Sequence, residues 1–241
     1  MGFVHQGKAR AYPIKILNWH EIVNDRVGGL SIAVTFCPLC GTGMVFDAMI
    51  KNRKMNFCVS GLLYQSDMLM CDHQTESLWS QIHTSAVTGP LTGTKLKLLP
   101  STQTTWGRWK KKYQRTQVLS DQTGYRRDCS RDPYDGYDKS PRLIFGIDSV
   151  SARFHPKEKV IGVEFGDRVK AYPFSELEKH KGPVPDTIKK KRIIVRYDKS
   201  SETASIHGES GAELPSVVGL WFAWYTFHPE TKVYTMYTNR K

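Results

Sequence analysis

The chain has 241 residues, 39% of them hydrophobic and 11% aromatic, a composition that excludes intrinsic disorder and suffices for one large domain or two small ones. A balance of 35 Lys and Arg against 23 Asp and Glu gives a formal charge of +12, which favours acidic partners without naming one. No apolar run approaches the ~18 residues of a transmembrane helix, and Met1–Gly7 lacks the basic and apolar regions of a signal peptide. The opening reads as that of a mature or trimmed form, and the compartment stays open.

In chain order, the first expected element is a strand–turn–strand ending at Tyr12-Pro13. A helix follows, because the fixed φ of proline suits a first helical turn; Ile14, Leu17, Ile22 and Val23 supply its apolar spacing. Gly28-Gly29 reads as a turn and Ser31–Phe36, rich in β-branched residues, as a strand. Beyond a cysteine-bearing stretch, Trp106-x-x-Trp109 fits a short amphipathic helix closed by a strand at Gln117–Leu119. Residues 126–160, with their Asp, Pro, Gly and Tyr, read as a long connector.

The same order then returns. Gly7–Pro13 reappears as Gly166–Pro173, with Phe174 and Leu177 spacing the helix. Asp25–Val34 matches Asp186–Val195 without a gap, the latter containing the start of an expected strand at Arg192–Tyr197. Trp221-x-x-Trp224 and the strand at Lys232–Met236 repeat Trp106-x-x-Trp109 and its strand. Three collinear matches imply an internal repeat. The expected fold class is α+β and strand-rich: two diverged copies of a β-hairpin–helix–strand unit, residues 1–125 and 161–241, joined by the connector 126–160. The first copy carries a large insert, residues 37–105, where the second runs only from Asp198 to Leu220. Cys37 falls opposite Asp198 and Cys40 opposite Ser201, so the second copy keeps the scaffold without the thiols, and function is expected in the insert.

Cys37-Pro38-Leu39-Cys40-Gly41-Thr42 follows directly on the first copy's strand. A CxxC pair puts two sulfurs within reach of one metal ion or of each other, and Gly41 lets the backbone fold back towards them. A structural zinc takes four ligands, usually from two such knuckles, and there is no second CxxC. A thioredoxin-like site wants the pair at a helix start, whereas Gly41–Gly43 and Met44–Phe46 read as turn and strand. A soft-metal site needs only two or three sulfur ligands, with Cu(I) the natural ion for two thiolates; Met44, Met68 and Met70 compete for a third place against plain core filling. The competing structural reading is a disulfide or two buried thiols. Of the five cysteines, an odd number, Cys58, Cys71 and Cys129 are isolated.

Downstream, Asp67 and Asp72 are candidates to orient a water or a histidine, and His73 or His83 to ligate a metal. His20 lies on the first helix, with His180 at the same place in the second copy. The candidate catalytic residues are therefore Cys37, Cys40, His20, Asp67 and Asp72, and the candidate metal ligands Cys37, Cys40 and His20, for copper or zinc. The basic runs Lys110–Lys112 and Lys189–Arg192 come without any nucleic-acid-binding signature and read as solvated surface.

Several motifs belong together: LNWHEIVND at Leu17–Asp25, CPLCGT at Cys37–Thr42, VSGLLYQSD at Val59–Asp67, DHQTESLWSQ at Asp72–Gln81, GPLTG at Gly89–Gly93 and LLPSTQTTWGRW at Leu98–Trp109. The set resembles a largely bacterial family of domains of unknown function, DUF3179, from about Lys8 to Tyr234. The resemblance implies no settled activity; it carries Cys37 and Cys40 as signature positions and implies an exported, extracytoplasmic setting. The chain departs from that pattern at Cys58, where relatives usually show Gly, at Cys71 and Cys129, where an aromatic is usual, and at His73, where Arg is usual.

Three functions compete. The first is a metal-binding or thiol-redox site on Cys37 and Cys40, with a small molecule or metal as partner. The second is a non-catalytic module that recognises an acidic partner or polymer, its cysteines structural. The third is a hydrolase or transferase with a cysteine nucleophile and His20 as its base.

Overall fold

The computed structural model describes residues 1–236. Its 14% helix against 42% strand bears out a strand-rich α+β protein. Strands β1 (Gly2–His5) and β2 (Lys8–Ala11) form an antiparallel hairpin. Helix α1 (Ile14–His20) starts behind Pro13 and buries Ile16 and Leu17. It ends sooner than the apolar spacing predicts: Glu21 takes φ 57, and Ile22 and Val23 open β3 (Ile22–Val27) instead of extending the helix. Gly28 and Gly29, both at positive φ, turn the chain into β4 (Leu30–Cys37), which is buried from Ser31 onward, and β5 (Thr42–Asp47) completes an antiparallel meander.

A small hairpin of β6 (Met49–Ile50) and β7 (Arg53–Lys54) comes next. It leads into an antiparallel four-stranded sheet of β8 (Phe57–Tyr64), β9 (Asp67–Asp72), β10 (Leu78–Ser80) and β11 (Ser85–Thr88). Strand β12 (Lys97–Leu99) returns to pair with β5, and α2 (Trp106–Lys112) leads to β13 (Gln117–Val118), parallel to β2. From there to residue 158 the chain is a connector whose one regular element is a 3-10 turn at Tyr137–Lys139.

The second half runs through β14 (Lys159–Phe165), β15 (Arg168–Pro173), α3 (Phe174–Leu177), β16 (Val184–Ile188), β17 (Lys191–Asp198), β18 (Thr203–Gly208), β19 (Val217–Leu220), α4 (Trp221–Phe227) and β20 (Lys232–Val233). Strands β16, β17 and β18 form an antiparallel meander, as β3, β4 and β5 do. The central sheet has the order β20-β15-β14-β19-β5-β4-β3. Its two halves meet at a single pair, Val218 against Gly43, beside a 2.8 Å hydrogen bond from the Leu220 N–H to the Cys40 carbonyl. No helix among the described residues is long and apolar enough to cross a membrane.

Several contacts occur twice. Tyr12 Oη donates to Asp25 at 2.8 Å and Tyr172 Oη to Asp186 at 2.7 Å. The Trp109 indole donates to Thr116 Oγ1, and the Trp224 indole to Thr231 Oγ1, each at 2.9 Å. Gly2 lies flush on the Trp109 ring and Gly162 on the Trp224 ring, so that a Cβ on either glycine would fall inside the indole. Three apolar clusters result: one under β1 and α1, one under β16–β18, and a central one containing Cys37, Cys40, Trp79, Trp221 and Trp224.

Overpacking of a well-filled core costs roughly 1–3 kcal/mol. Gly162→Ala is therefore expected to lower the urea midpoint by that equivalent at unchanged slope. Gly146→Ala, where a Cβ meets nothing within 4 Å, is the control and leaves the midpoint in place.

Candidate functional site

Strand β4 ends at Cys37 because Pro38, the next residue, has no N–H to donate to a ladder. The chain reverses through Gly41 at φ +61 and re-enters the sheet at Thr42, opposite Cys37. This is the strand-to-turn junction expected from the sequence, and it folds both sulfurs inward: Cys37 is 1% and Cys40 0% exposed. Neither is in a disulfide.

The β8–β9 hairpin faces this turn. Tyr64 pairs with Asp67 across a two-residue connection, Gln65 and Ser66, at φ 56 and 62. Left-handed geometry at both positions suits the twist of a hairpin but is unfavourable for residues other than Gly, Asn or Asp, and is kept where surrounding contacts over-determine it. Here they do. Gln65 Oε1 accepts from the Asp148 N–H at 2.7 Å and from Thr226 Oγ1 at 3.3 Å, and Gln65 Nε2 donates to the Asp148 carboxylate. Ser66 Oγ donates to the Phe145 carbonyl at 2.9 Å. The connector and α4 thus clamp the hairpin tip.

The clamped tip presents two groups to the thiols. The Ser66 carbonyl accepts from Cys40 Sγ at 3.2 Å, and Asp67 Oδ1 lies 3.8 Å from the same sulfur. The donor atoms of Cys37, Cys40 and Asp67 all lie within 4.8 Å of one another. Asp67 Oδ2 accepts from the Ile82 N–H at 3.0 Å and Ser80 Oγ at 3.4 Å.

Burial dominates the electrostatics. It pushes the Asp67 carboxyl up to about 7, against the opposing hydrogen bonds from the Ile82 and Met68 amides, Ser80 and Cys40. Burial also raises the Cys40 thiol well above its ordinary range, reinforced by Cys37 and Asp67. Tyr137, half-buried, is raised to about 12 by burial and by the thiols' charge. No cation is among the main causes of the Asp67 and Cys40 shifts, and no ion pair engages Asp67 among the described residues. Lys157, at the end of the connector, donates to the Tyr137 and Arg142 carbonyls at 3.2 Å and lies 3.1 Å from the centre of the Tyr137 ring.

The site is floored by a buried polar network. Gln81 Nε2 donates to Thr35 Oγ1 at 2.7 Å, and Gln81 Oε1 accepts from Thr42 Oγ1 at 2.8 Å. Sequence reasoning passed over Gln81, Ser66 and Tyr137; the signal that could have found the first was an amide standing between Leu78-Trp79-Ser80 and Ile82.

Two expected site residues lie elsewhere. The Asp72 carboxylate accepts the Gln74 and Thr75 N–H groups, the Thr75 hydroxyl and, at 2.9 Å, the Trp79 indole; its lone pairs are committed to holding the β9–β10 turn. His20 Nε2 is bonded to Thr123 Oγ1 at 3.2 Å, with its ring against Tyr125, and is not part of the Cys37–Cys40–Asp67 group. Asp67 takes the place that the sequence reading gave to His20. His73 and His83 are exposed, while Met44, Met68 and Met70 pack in the central core. Cys58 and Cys71, opposed across β8 and β9 with Cα atoms 4.9 Å apart, form a disulfide, and Cys129 is a free, buried thiol. Of the basic runs, Lys110–Lys112 ends α2 and Lys189-Lys190 forms the β16–β17 turn, where Lys189 pairs with Asp167.

A family model described as a protein of unknown function, DUF3179, matches residues 1–212. No curated protein and no solved structure matches the chain.

Two measurements check the site. Denatured but unreduced protein is expected to titrate three thiols, rising to five after reduction, with the native thiols reacting slowly. The second is a pH profile. Unfolded Asp67 loses its proton near 3.8 and folded Asp67 near 7, so between these values the native state binds more protons. Its contribution therefore makes the protein less stable as pH rises through that window, by up to about 4 kcal/mol. Asp67→Asn is expected to flatten that slope in urea unfolding followed from pH 4 to pH 8.

Proposed function

The chain belongs to the DUF3179 family, whose description names no activity, and from the chemistry of the site we propose that it binds a soft metal ion, Cu(I) or Zn(II), through Cys37 and Cys40 with Asp67 as third donor. The observation that carries this reading is the company these groups keep. Three acidic donors are buried within 4.8 Å of one another, and among the described residues no cation is among the main influences on Asp67 or Cys40. Unpaired buried charge is costly, so without an ion such groups stay protonated. A metal cation reverses that balance: thiolates and carboxylate form against its charge and their protons are released. Thiolate donors select Cu(I) and Zn(II) over hard cations, and three protein donors would leave zinc a further open position.

The same pair supports thioredoxin-like redox chemistry less well. Such thiols are lowered by a helix start or a nearby cation, whereas here burial raises Cys40 and the pair ends a strand. The cysteine-nucleophile reading drew on His20 as base, and His20 is engaged by Thr123. An acidic-partner module has the +12 charge as its support and no feature of the thiol site.

We read the chain as two diverged copies of one unit, supported by the duplicated Tyr–Asp, Trp–Thr and Gly–Trp contacts. On this reading β5 corresponds to β18, so the cysteine turn belongs to the repeated scaffold and the added part is β6–β12. The Cys58–Cys71 disulfide favours an oxidising, extracytoplasmic setting.

The test is metal analysis of anaerobically purified protein. About one equivalent of copper or zinc per chain is expected, lost in Cys37→Ser and Cys40→Ser and held at least ten times more weakly in Asp67→Asn, with proton release on loading. Protein whose free thiols are confirmed but which takes up neither ion would overturn the reading.

A further inference from the structure

A pocket of about 180 Å³ opens beside Cys37, walled by Pro38, Leu39, Val59, Leu62, Leu63 and Phe145. Among these apolar walls stand just two polar side chains besides the thiol, Glu21 and Tyr134. Glu21 is the residue at which α1 breaks into β3. Its backbone is pinned on both sides, the N–H donating to the Leu17 carbonyl at 2.8 Å and the carbonyl accepting from the Phe36 N–H at 2.7 Å. This holds it at φ 57, ψ −38, a conformation that a residue with a Cβ adopts at a cost of order 1–3 kcal/mol. The side chain so aimed is half-buried, and no hydrogen bond or ion pair engages its carboxylate among the described residues. Burial raises that carboxyl above its usual range. A glycine would serve the backbone there without strain, and a neutral side chain would line an apolar pocket without the cost of desolvating a carboxyl. Neither helix capping nor packing accounts for a carboxylate at this place.

We propose that this pocket is the access route for the metal cation to Cys37 and Cys40, and that Glu21 at its wall is the carboxylate that captures the ion on its way in. The inference rests on the metal-site reading and adds to it a direction of approach and a residue that acts in loading. A chain of net charge +12 repels small cations at long range. A single carboxylate within an apolar wall offsets that repulsion locally, because field lines are concentrated where the surroundings are poorly polarisable. The ion, shedding water as it passes the apolar wall, exchanges the Glu21 oxygen for the Cys37 sulfur. Glu21 is thus a transit ligand rather than a resident one, and its removal should change the rate of loading more than the final occupancy.

Stopped-flow mixing with Cd(II), a soft dication whose thiolate absorption reports binding directly, separates these effects. Glu21→Gln is expected to load roughly tenfold more slowly than wild type at low salt, to reach the same stoichiometry, and to load faster as salt screens the uncompensated positive charge, where the wild-type rate falls. Glu21→Asn, which tolerates a left-handed backbone, guards against a folding artefact and should behave the same, while Glu21→Asp should restore most of the rate. Wild-type loading rates in Glu21→Gln and Glu21→Asn would overturn the inference and leave the metal reading intact. Slowing by Glu21→Asp equal to that of the neutral variants would overturn it too, by making the effect structural. A wild-type protein that binds no Cd(II) would overturn the metal reading itself, and this inference with it.

Discussion

The hydrogen bond from the Leu220 N–H to the Cys40 carbonyl fastens the second half of the chain to the cysteine turn, and much else in the molecule is arranged around it. The central sheet is continuous across one residue pair there, Val218 and Gly43, and Gln103 Nε2 bridges the Gly41 and Val218 carbonyls across the same seam. Five of the six residues of the CPLCGT motif then have a physical reason. Pro38 ends the ladder, the two thiols turn inward, and Gly41 supplies positive φ against the Leu220 side chain. Thr42 presses on Gly219 with its methyl and gives its hydroxyl to Gln81. A turn that joins the two halves of a sheet is a stiff place, and on the proposed reading stiffness is what a metal donor set needs if it is to hold a fixed geometry before an ion arrives.

Beside the same seam, where Thr104, Ser201 and Glu202 share a pocket with Gly41, Gln103 and Leu220, a related arrangement occurs. Thr203 Oγ1 donates to Thr104 Oγ1 at 2.6 Å, and Arg108 pairs with Asp198. The segment before each Trp helix thus leans on the meander turn of the other half. At the site this cross-bracing backs the thiol turn, while the connector lies across it through Phe145, Asp148 and Tyr137. The long irregular segment is therefore not slack: Lys157, caged by two carbonyls and a phenol ring, ties its two arms together.

Much of the fold was legible because its signals are local. Pro13, Gly28-Gly29 and the β-branched run before Cys37 state their structures within a few residues, and β4 and β17 fell within a residue or two of expectation. The end of α1 was misread because Ile22 and Val23 satisfy helical spacing and strand propensity equally, and the deciding event is a strained dihedral at Glu21 that no spacing reveals. The two thiols and Asp67 were named from the sequence. Which of the other acids and histidines joins them was not readable, since that depends on a hairpin packing on a turn 26 residues earlier in the chain. Asp72 and His20 looked equally suited as residue types; what separates them from Asp67 is place, since Asp72 holds the β9–β10 turn and His20 lies against Thr123, whereas Asp67 stands within 4.8 Å of both thiols.

Strand β8 slips its register against β9 between Val59 and Leu63, where three of its residues pass a single residue opposite. In such a strand the pairing on one side of the slip does not dictate the pairing on the other, and a shift by one would turn Asp67 away from the thiols. Cys58 and Cys71 cross-link the two strands on the far side of that slip from the turn. The disulfide closes the hairpin tip into a covalent ring, so the chain loses much of its freedom to explore other pairings even when unfolded. One cysteine pair, oxidised, thereby acts as the template on which the acid partner of the other pair, reduced, is put in place. Reducing conditions would loosen the register of Asp67 while leaving the already reduced thiols it faces chemically unchanged.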